Sequence, residues 1–167
     1  MVKSLPARGE ESIVYNFNEI YERRFGMIYR VCFSYMKNAA DTEDITADVF
    51  AKLLAKKIVF RDTEYEKAWL LRTAINMCKD HLKHWRRKNE SLDGHGSSES
   101  ADPFSGSVVL ESILALPERY RDVIYLYYYE GYAAEEIAGI LKRPHSTIRG
   151  HLREARNLLK GVLENEE

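Results

Sequence analysis

WLLRTAINMCKDHLKHWRRK, Trp69 to Lys88, is a stretch without a single Gly or Pro. Within it Leu71, Ile75, Cys78, Leu82 and Trp85 recur at steps of four, three, four and three, which lays one apolar stripe along a helix. At about 100° per residue, Arg72, Asn76, Lys79, Lys83, Arg86 and Arg87 gather on the flank beside that stripe. Six Lys/Arg against the single acid Asp80 give the stretch a formal charge of +5, whereas the whole chain carries −1. A basic flank beside a buried stripe, with Trp69 at the expected helix start, suits a polyanion with stackable bases. The plain alternative is a solvated helix face, and the rest of the chain has to decide between them.

The chain has 167 residues, enough for one domain or two small ones. With 45% hydrophobic and 31% charged residues its composition is that of an ordinary globular protein. No run approaches the roughly 18 to 20 apolar residues of a membrane span, so no membrane insertion is expected. The first residues, MVKSLPARGEES, lack the apolar core of a signal peptide, and Cys32 and Cys78 both fall on apolar stripes. These features read together as a cytoplasmic protein with two reduced core cysteines.

One shift of composition divides the chain. NESLDGHGSSESADPFSGS, Asn89 to Ser107, is rich in Ser and Gly and carries Glu90, Asp93, Glu99 and Asp102 with no Lys or Arg. Such a segment cannot bury enough apolar surface to offset its ordering entropy and reads as a flexible, self-repelling linker. The expected architecture is all-α: an N-terminal tail at 1–16, a helical domain at 17–88, an acidic linker at 89–107 and a second helical domain at 108–163.

In the first domain, Phe17 to Lys37 reads as one long helix with Ile20, Ile28, Val31 and Cys32 on its apolar side. Asn38 or Asp41 can cap the next helix. That helix opens with Asp41, Glu43, Asp44 and Asp48 and no compensating base. Acids in a first turn suit the helix macrodipole, but Asp48 lies beyond it. An exposed acidic helix beside a basic one implies two different partners, one basic and one acidic.

In the second domain, Val108 to Leu116 is a short amphipathic helix. Pro117 opens PERYRDVIYLYYYE at the first helical position, with Val123, Ile124 and Tyr127 toward the core, and Gly131 ends it. A short helix around Glu135–Leu141, a break at Lys142–His145 and a longer helix from Ser146, capped by Ser146 or His145, have the proportions of a helix-turn-helix. Its second helix places Ile148, Leu152, Ala155 and Leu159 inward and Arg149, Arg153, Arg156 and Lys160 on one flank.

EDITADVF, WLLRTAINMCKDHLK, LPERYRDVIYLYYYEGY, EEIAGIL and TIRGHLREAR, in this order and on both sides of an acidic linker, together resemble the bacterial sigma factors of the extracytoplasmic-function (ECF) group. The resemblance implies a transcription initiation factor that directs RNA polymerase core enzyme to particular promoters. It implies no enzymatic activity and no cofactor. By this resemblance Asp41, Asp44 and Asp48 match the acidic helix that docks on a coiled coil of the polymerase's largest subunit. Arg72, Asn76, Lys79 and Lys83, extended by Arg86 and Arg87, match the helix that contacts the minus-ten element of promoter DNA. The loop from Phe60 to Lys67 takes the place of the pocket for an unstacked base of the opened strand. Thr147, Arg149, Gly150, His151, Arg153 and Arg156 fall in the helix that reads the minus-thirty-five element of duplex promoter DNA. The implied partners are core polymerase and promoter DNA, with an anti-sigma factor as a further candidate.

The chain departs from the family pattern in places. Ala47 stands where Gln is usual, and Ala133 where a Ser or Thr commonly caps the first helix of the helix-turn-helix, at a cost of about 1 kcal/mol. Gly150, His151 and Glu154 replace the usual Ser, Arg and Arg, so promoter preference does not transfer. The runner-up is a stand-alone DNA-binding repressor or activator, which leaves the Asp41–Asp48 helix without a purpose. A metal site at Cys78, His81 and His84 is a third reading, weakened because these positions spread over about 120° of a helix and Cys78 already fits the apolar stripe.

Overall fold

The computed structural model describes residues 16–89 and 108–164, which contain seven helices and no strand. The all-α expectation holds. The tail and the acidic segment, apart from Asn16 and Asn89, lie outside the described residues. The chain divides into two compact units, one holding the first three helices and the other the last four.

The first unit contains α1 (Phe17–Met36), α2 (Ala39–Lys56) and α3 (Thr63–Lys88), each packed on the other two. Each helix begins where a short polar side chain replaces a missing backbone partner. Asn16 accepts from the Glu19 N–H at 3.3 Å, Asn38 from the Asp41 N–H at 2.9 Å, and Asp62 from the Tyr65 N–H at 2.9 Å. Asn38 is therefore the cap of α2. Helices α1 and α2 end on Lys37 and Lys57, both in the left-handed region with φ of 60° and 46°. The core joins Ile28, Val31, Val49, Leu53, Leu70 and Leu71, all essentially inaccessible.

Two expectations need correction. Helix α3 begins at Thr63, not at Trp69, because Asp62 caps it a turn and a half earlier. The apolar stripe also does not stay buried: Leu71, Ile75 and Cys78 are, Leu82 is half-buried, and Trp85 is 37% exposed. With 26 residues α3 is about 39 Å long, whereas α1 and α2 have 20 and 18 residues. Its last turns have no helix of equal length to pack on.

The second unit contains α4 (Val108–Leu114), α5 (Glu118–Tyr128), α6 (Ala134–Leu141) and α7 (His145–Glu164). Helix α7 packs on α4, α5 and α6, through Ile148, Leu152, Ala155 and Leu159, all buried as their spacing predicts. Pro117 precedes α5 as its cap residue instead of occupying the first helical position. Gly131 adopts φ of 72°, but it stands two residues past the cap residue Tyr129, and the Tyr132 N–H reaches back to the Leu126 carbonyl at 3.1 Å. Tyr127 is 37% exposed and not a core residue; Tyr125 takes the inward position instead. Helix α7 starts at His145, where the Pro144 carbonyl accepts from the Ile148 N–H at 3.1 Å, so His145 and Ser146 belong to the first turn and do not precede it.

Candidate nucleic-acid interface

Helix α3 carries the basic face. Asn76, Lys83, Arg86 and Arg87 are exposed, while Arg72 and Lys79 are half-buried. The helix is pinned at its other end by a carboxylate that sequence reasoning missed. Glu66, 4% exposed, accepts from Arg23 at 3.2 and 2.7 Å and from Arg24 at 2.9 Å; Arg24 also donates to the Thr63 carbonyl at 3.0 Å. Two guanidiniums of α1 thus fix where α3 starts. Breaking such a buried, charge-assisted arrangement leaves an uncompensated charge and costs several kcal/mol.

The segment from Phe60 to Lys67 is not a loop throughout, since Thr63–Lys67 form the opening of α3. What remains, 60–62, closes one side of a concavity of about 250 Å³ lined by Asn16, Arg23, Val59, Phe60, Asp62 and Glu66, among others. Phe60 is buried, with its ring 5.9 Å from that of Trp69. The Tyr65 N–H holds the Asp62 carboxyl below its ordinary range, helped by Arg61.

Helix α2 presents Asp44 and Asp48 to solvent. Asp41 is half-buried and accepts from Asn38 Nδ2 at 2.9 Å, so it closes the cap of its own helix. An aromatic ladder runs along α1. Phe17, Tyr21, Phe25, Tyr29 and Phe33 follow each other at four-residue steps along α1, with ring centroids 5.2 to 6.4 Å apart, and Phe50 of α2 lies 4.9 Å from Tyr21. Tyr21, Phe25 and Leu54 are 40%, 37% and 50% exposed. The strict i, i+4 aromatic spacing was the available signal for this surface.

In the second unit the turn between α6 and α7 is clasped to α5. Arg143 donates to both oxygens of Asp122, whose side chain is inaccessible, at 3.3 and 2.8 Å. Glu136 accepts from the Ala133 N–H at 2.8 Å. Half of a capping box therefore survives although Ala133 offers no oxygen. Along α7, Arg149, Arg153 and Arg156 are exposed and Gly150 half-buried. These four line one open concavity of about 620 Å³ with Tyr127, Ala134, His145 and Ser146. The Arg156 guanidinium sits 4.7 Å from the centre of the Tyr127 ring. A Cβ at Gly150 would meet nothing within 4 Å outside its own helix backbone.

Thr147 and His151 do not join that group. Thr147 is half-buried, and His151 turns toward α5, its ring edge-on to Tyr120 at 5.6 Å. Its Nδ1 is buried with no partner among the described residues. Burial, and then Arg143, push its pKa down; Asp122 opposes.

The side chains of the metal reading differ in setting, with Cys78 buried, His81 half-buried and His84 exposed. Among the described residues no three His, Cys, Asp or Glu side chains converge on a common point. No helix among them is long and apolar enough to cross a membrane.

Comparison with known proteins places these surfaces in context. Residues 20–88 match the sequence model of sigma-70 region 2, and residues 107–159 that of sigma-70 region 4. RNA polymerase sigma factor SigV of Bacillus subtilis is 31% identical over 143 residues, covering 83% of this chain and 86% of that protein. The ECF RNA polymerase sigma-E factor of Escherichia coli K12 is 27% identical over 144 residues, 75% of each chain. Among solved structures, the sigma factor RpoE of Bartonella quintana, in complex with the anti-sigma factor NepR, superposes with a TM-score of 0.75 at 19% identity, covering 92% of this chain and all of that one.

Proposed function

Because the chain belongs to the sigma-70 family, as a promoter-specific transcription initiation factor of its ECF group, we propose how its surfaces divide that work. Such a factor is not an enzyme; the catalysis is the polymerase's. The acidic face of α2, Asp44 and Asp48 with Asp41 at its edge, docks on a basic surface of core polymerase. Arg72, Asn76, Lys79, Lys83, Arg86 and Arg87 of α3 take the minus-ten element, with the lysines and arginines on phosphates and Asn76 on the opened strand. The concavity beside Phe60 receives an unstacked base. Arg149 and Gly150 approach the base edges of the minus-thirty-five element, and Arg153 and Arg156 its phosphates. Thr147 and His151, assigned to the same helix by resemblance, support its placement on α5 more than they read sequence.

In domain terms, 17–88 binds core and opens the minus-ten region, and 108–163 reads the minus-thirty-five region. The acidic stretch between them threads a basic channel of the polymerase. The Bartonella relative carries an anti-sigma factor; we extend that class of partner to this chain, and with it a cytoplasmic location.

One observation carries the reading: a single three-helix unit exposes the acids of α2 and, on α3, a strongly basic face. A stand-alone repressor would use only the second. Run-off transcription with purified core polymerase on a genomic promoter pool tests it, with Asp44→Lys/Asp48→Lys alongside wild type. The double variant changes the local charge by four units, and like-charge contact at an interface costs several kcal/mol. It should keep its helix content and lose both core binding and promoter-dependent transcripts. Full core affinity in the double variant would favour the repressor.

A further inference from the structure

Among the described residues that line the concavity beside Phe60, Arg23 of α1 is the one cation, set among the carboxylates of Glu19, Asp62 and Glu66. Arg23 meets Glu66 through Nε at 3.2 Å and Nη2 at 2.7 Å, a side-on fork that fixes the plane of the guanidinium. That fork uses one edge of the group. The other edge, with N–H groups on Nη1 and Nη2, makes no hydrogen bond among the described residues.

Neutralising Glu66 does not require Arg23. Arg24 donates to the same carboxylate at 2.9 Å and to the Thr63 carbonyl at 3.0 Å. Its side chain is 14% exposed, against 41% for Arg23. The more buried arginine ties α1 to the first turn of α3. The more open one is held in a fixed plane with donors to spare.

We propose that Arg23 is a specificity-determining residue for the opened strand, its unused edge donating to a ring nitrogen or carbonyl oxygen of the unstacked base. This rests on the reading of the concavity as the base site and adds to it a contact from α1. A phosphate is the other ligand an arginine commonly takes, but three carboxylates line this concavity against one guanidinium and oppose an anion. A neutral base carries acceptors for Arg23 and N–H donors for the carboxylates, so it suits a lining of mixed sign. The planar fork also gives the contact a direction, which a freely rotating ammonium does not supply.

The experiment uses polymerase holoenzyme reconstituted with the full chain and a promoter recovered from the run-off pool. The opened minus-ten strand is supplied as an oligonucleotide in which each position carries in turn the four bases and an abasic site. Wild type, Arg23→Ala, Arg23→Lys and Val59→Phe, the last putting a larger side chain into the concavity lining, are titrated at several salt concentrations. Both Arg23 variants should lower discrimination at one position by about fivefold or more, leave the other positions unchanged and keep the wild-type salt slope. Val59→Phe should lose preference at that same position. A uniform loss in Arg23→Ala with the salt slope flattened by about one unit, restored in Arg23→Lys, is a phosphate contact and overturns the proposal. So does unchanged discrimination in both Arg23 variants. Val59→Phe then tells which statement failed: preference lost there leaves a base site without Arg23, whereas no change removes the base site as well. Helix content and core affinity identify a misfolded variant. Arg23→Lys, which keeps a cation beside Glu66, decides alone if the others do not fold.

Discussion

The carboxylate of Asp122, inside α5, and the guanidinium of Arg143, in the turn of the helix-turn-helix, face each other through two hydrogen bonds of 3.3 and 2.8 Å. Arg143 keeps 22% of its side chain in solvent while Asp122 keeps none. The pair determines how the α6–α7 turn sits on the rest of its unit. Asp122→Ala should therefore destabilise that unit by about 2–3 kcal/mol, toward the low end for a broken buried pair because Arg143 can rehydrate. Urea unfolding of the full chain, followed on the second unit's transition, measures this. A change within about 0.5 kcal/mol, the scale of a surface substitution, would mean the clasp is decorative.

His151 gives that unit a pH dependence. Its folded pKa lies below its ordinary value, so the unfolded chain binds the proton more readily. Stability is then full above the unfolded pKa of about 6.5 and declines as pH falls through the folded value. The thermal midpoint of the second unit should drop as pH falls below about 6.5, and His151→Gln should flatten that part of the profile.

Gly150 lies within α7 with open space where a Cβ would stand. Gly150→Ala should stabilise the helix by about 1 kcal/mol. If the backbone approaches DNA closely here, the same variant weakens binding to the minus-thirty-five element, and melting and promoter binding will move in opposite directions. Both improving together would remove Gly150 from the interface.

Arg149 and Arg156 should behave differently. Arg149→Ala should cost about 1–3 kcal/mol at one or two promoter positions. Arg156→Ala should weaken all sequences alike and flatten the salt slope by about one unit. Tyr127→Ala, which frees the guanidinium it now underlies, should resemble a mild Arg156→Ala, whereas Tyr127→Phe should not. A promoter-variant library transcribed at several salt concentrations separates these outcomes.

Lys57 and Lys142 close α2 and α6 in the left-handed region, with φ of 46° and 52°. Lys57→Gly and Lys142→Gly should each raise stability by about 0.5–1 kcal/mol, since glycine occupies that region without a Cβ penalty. Denaturant midpoints of the two variants check the sign.

Sequence by itself determined the helices, the helix-turn-helix proportions and the inward side of α7, because these follow from local periodicity and from residues that act on their own neighbours. Ile148, Leu152, Ala155 and Leu159 are buried simply because they share one face. It also carried the family, because five moderately specific stretches in one order are jointly restrictive. Tertiary structure decided what depends on partners distant in the chain. Glu66 is buried because Arg23 and Arg24 of another helix neutralise it, and Asp122 because Arg143 does; neither pairing leaves a periodic trace. Trp85 is exposed although it continues the apolar stripe, since α3 outlasts the helices it packs on. His151 turns inward because it stands at the edge of the core face of α7, where Tyr120 of the adjoining helix offers a ring. A helical wheel fixes the angle of a side chain, but only the neighbouring helix decides whether that angle meets protein or water.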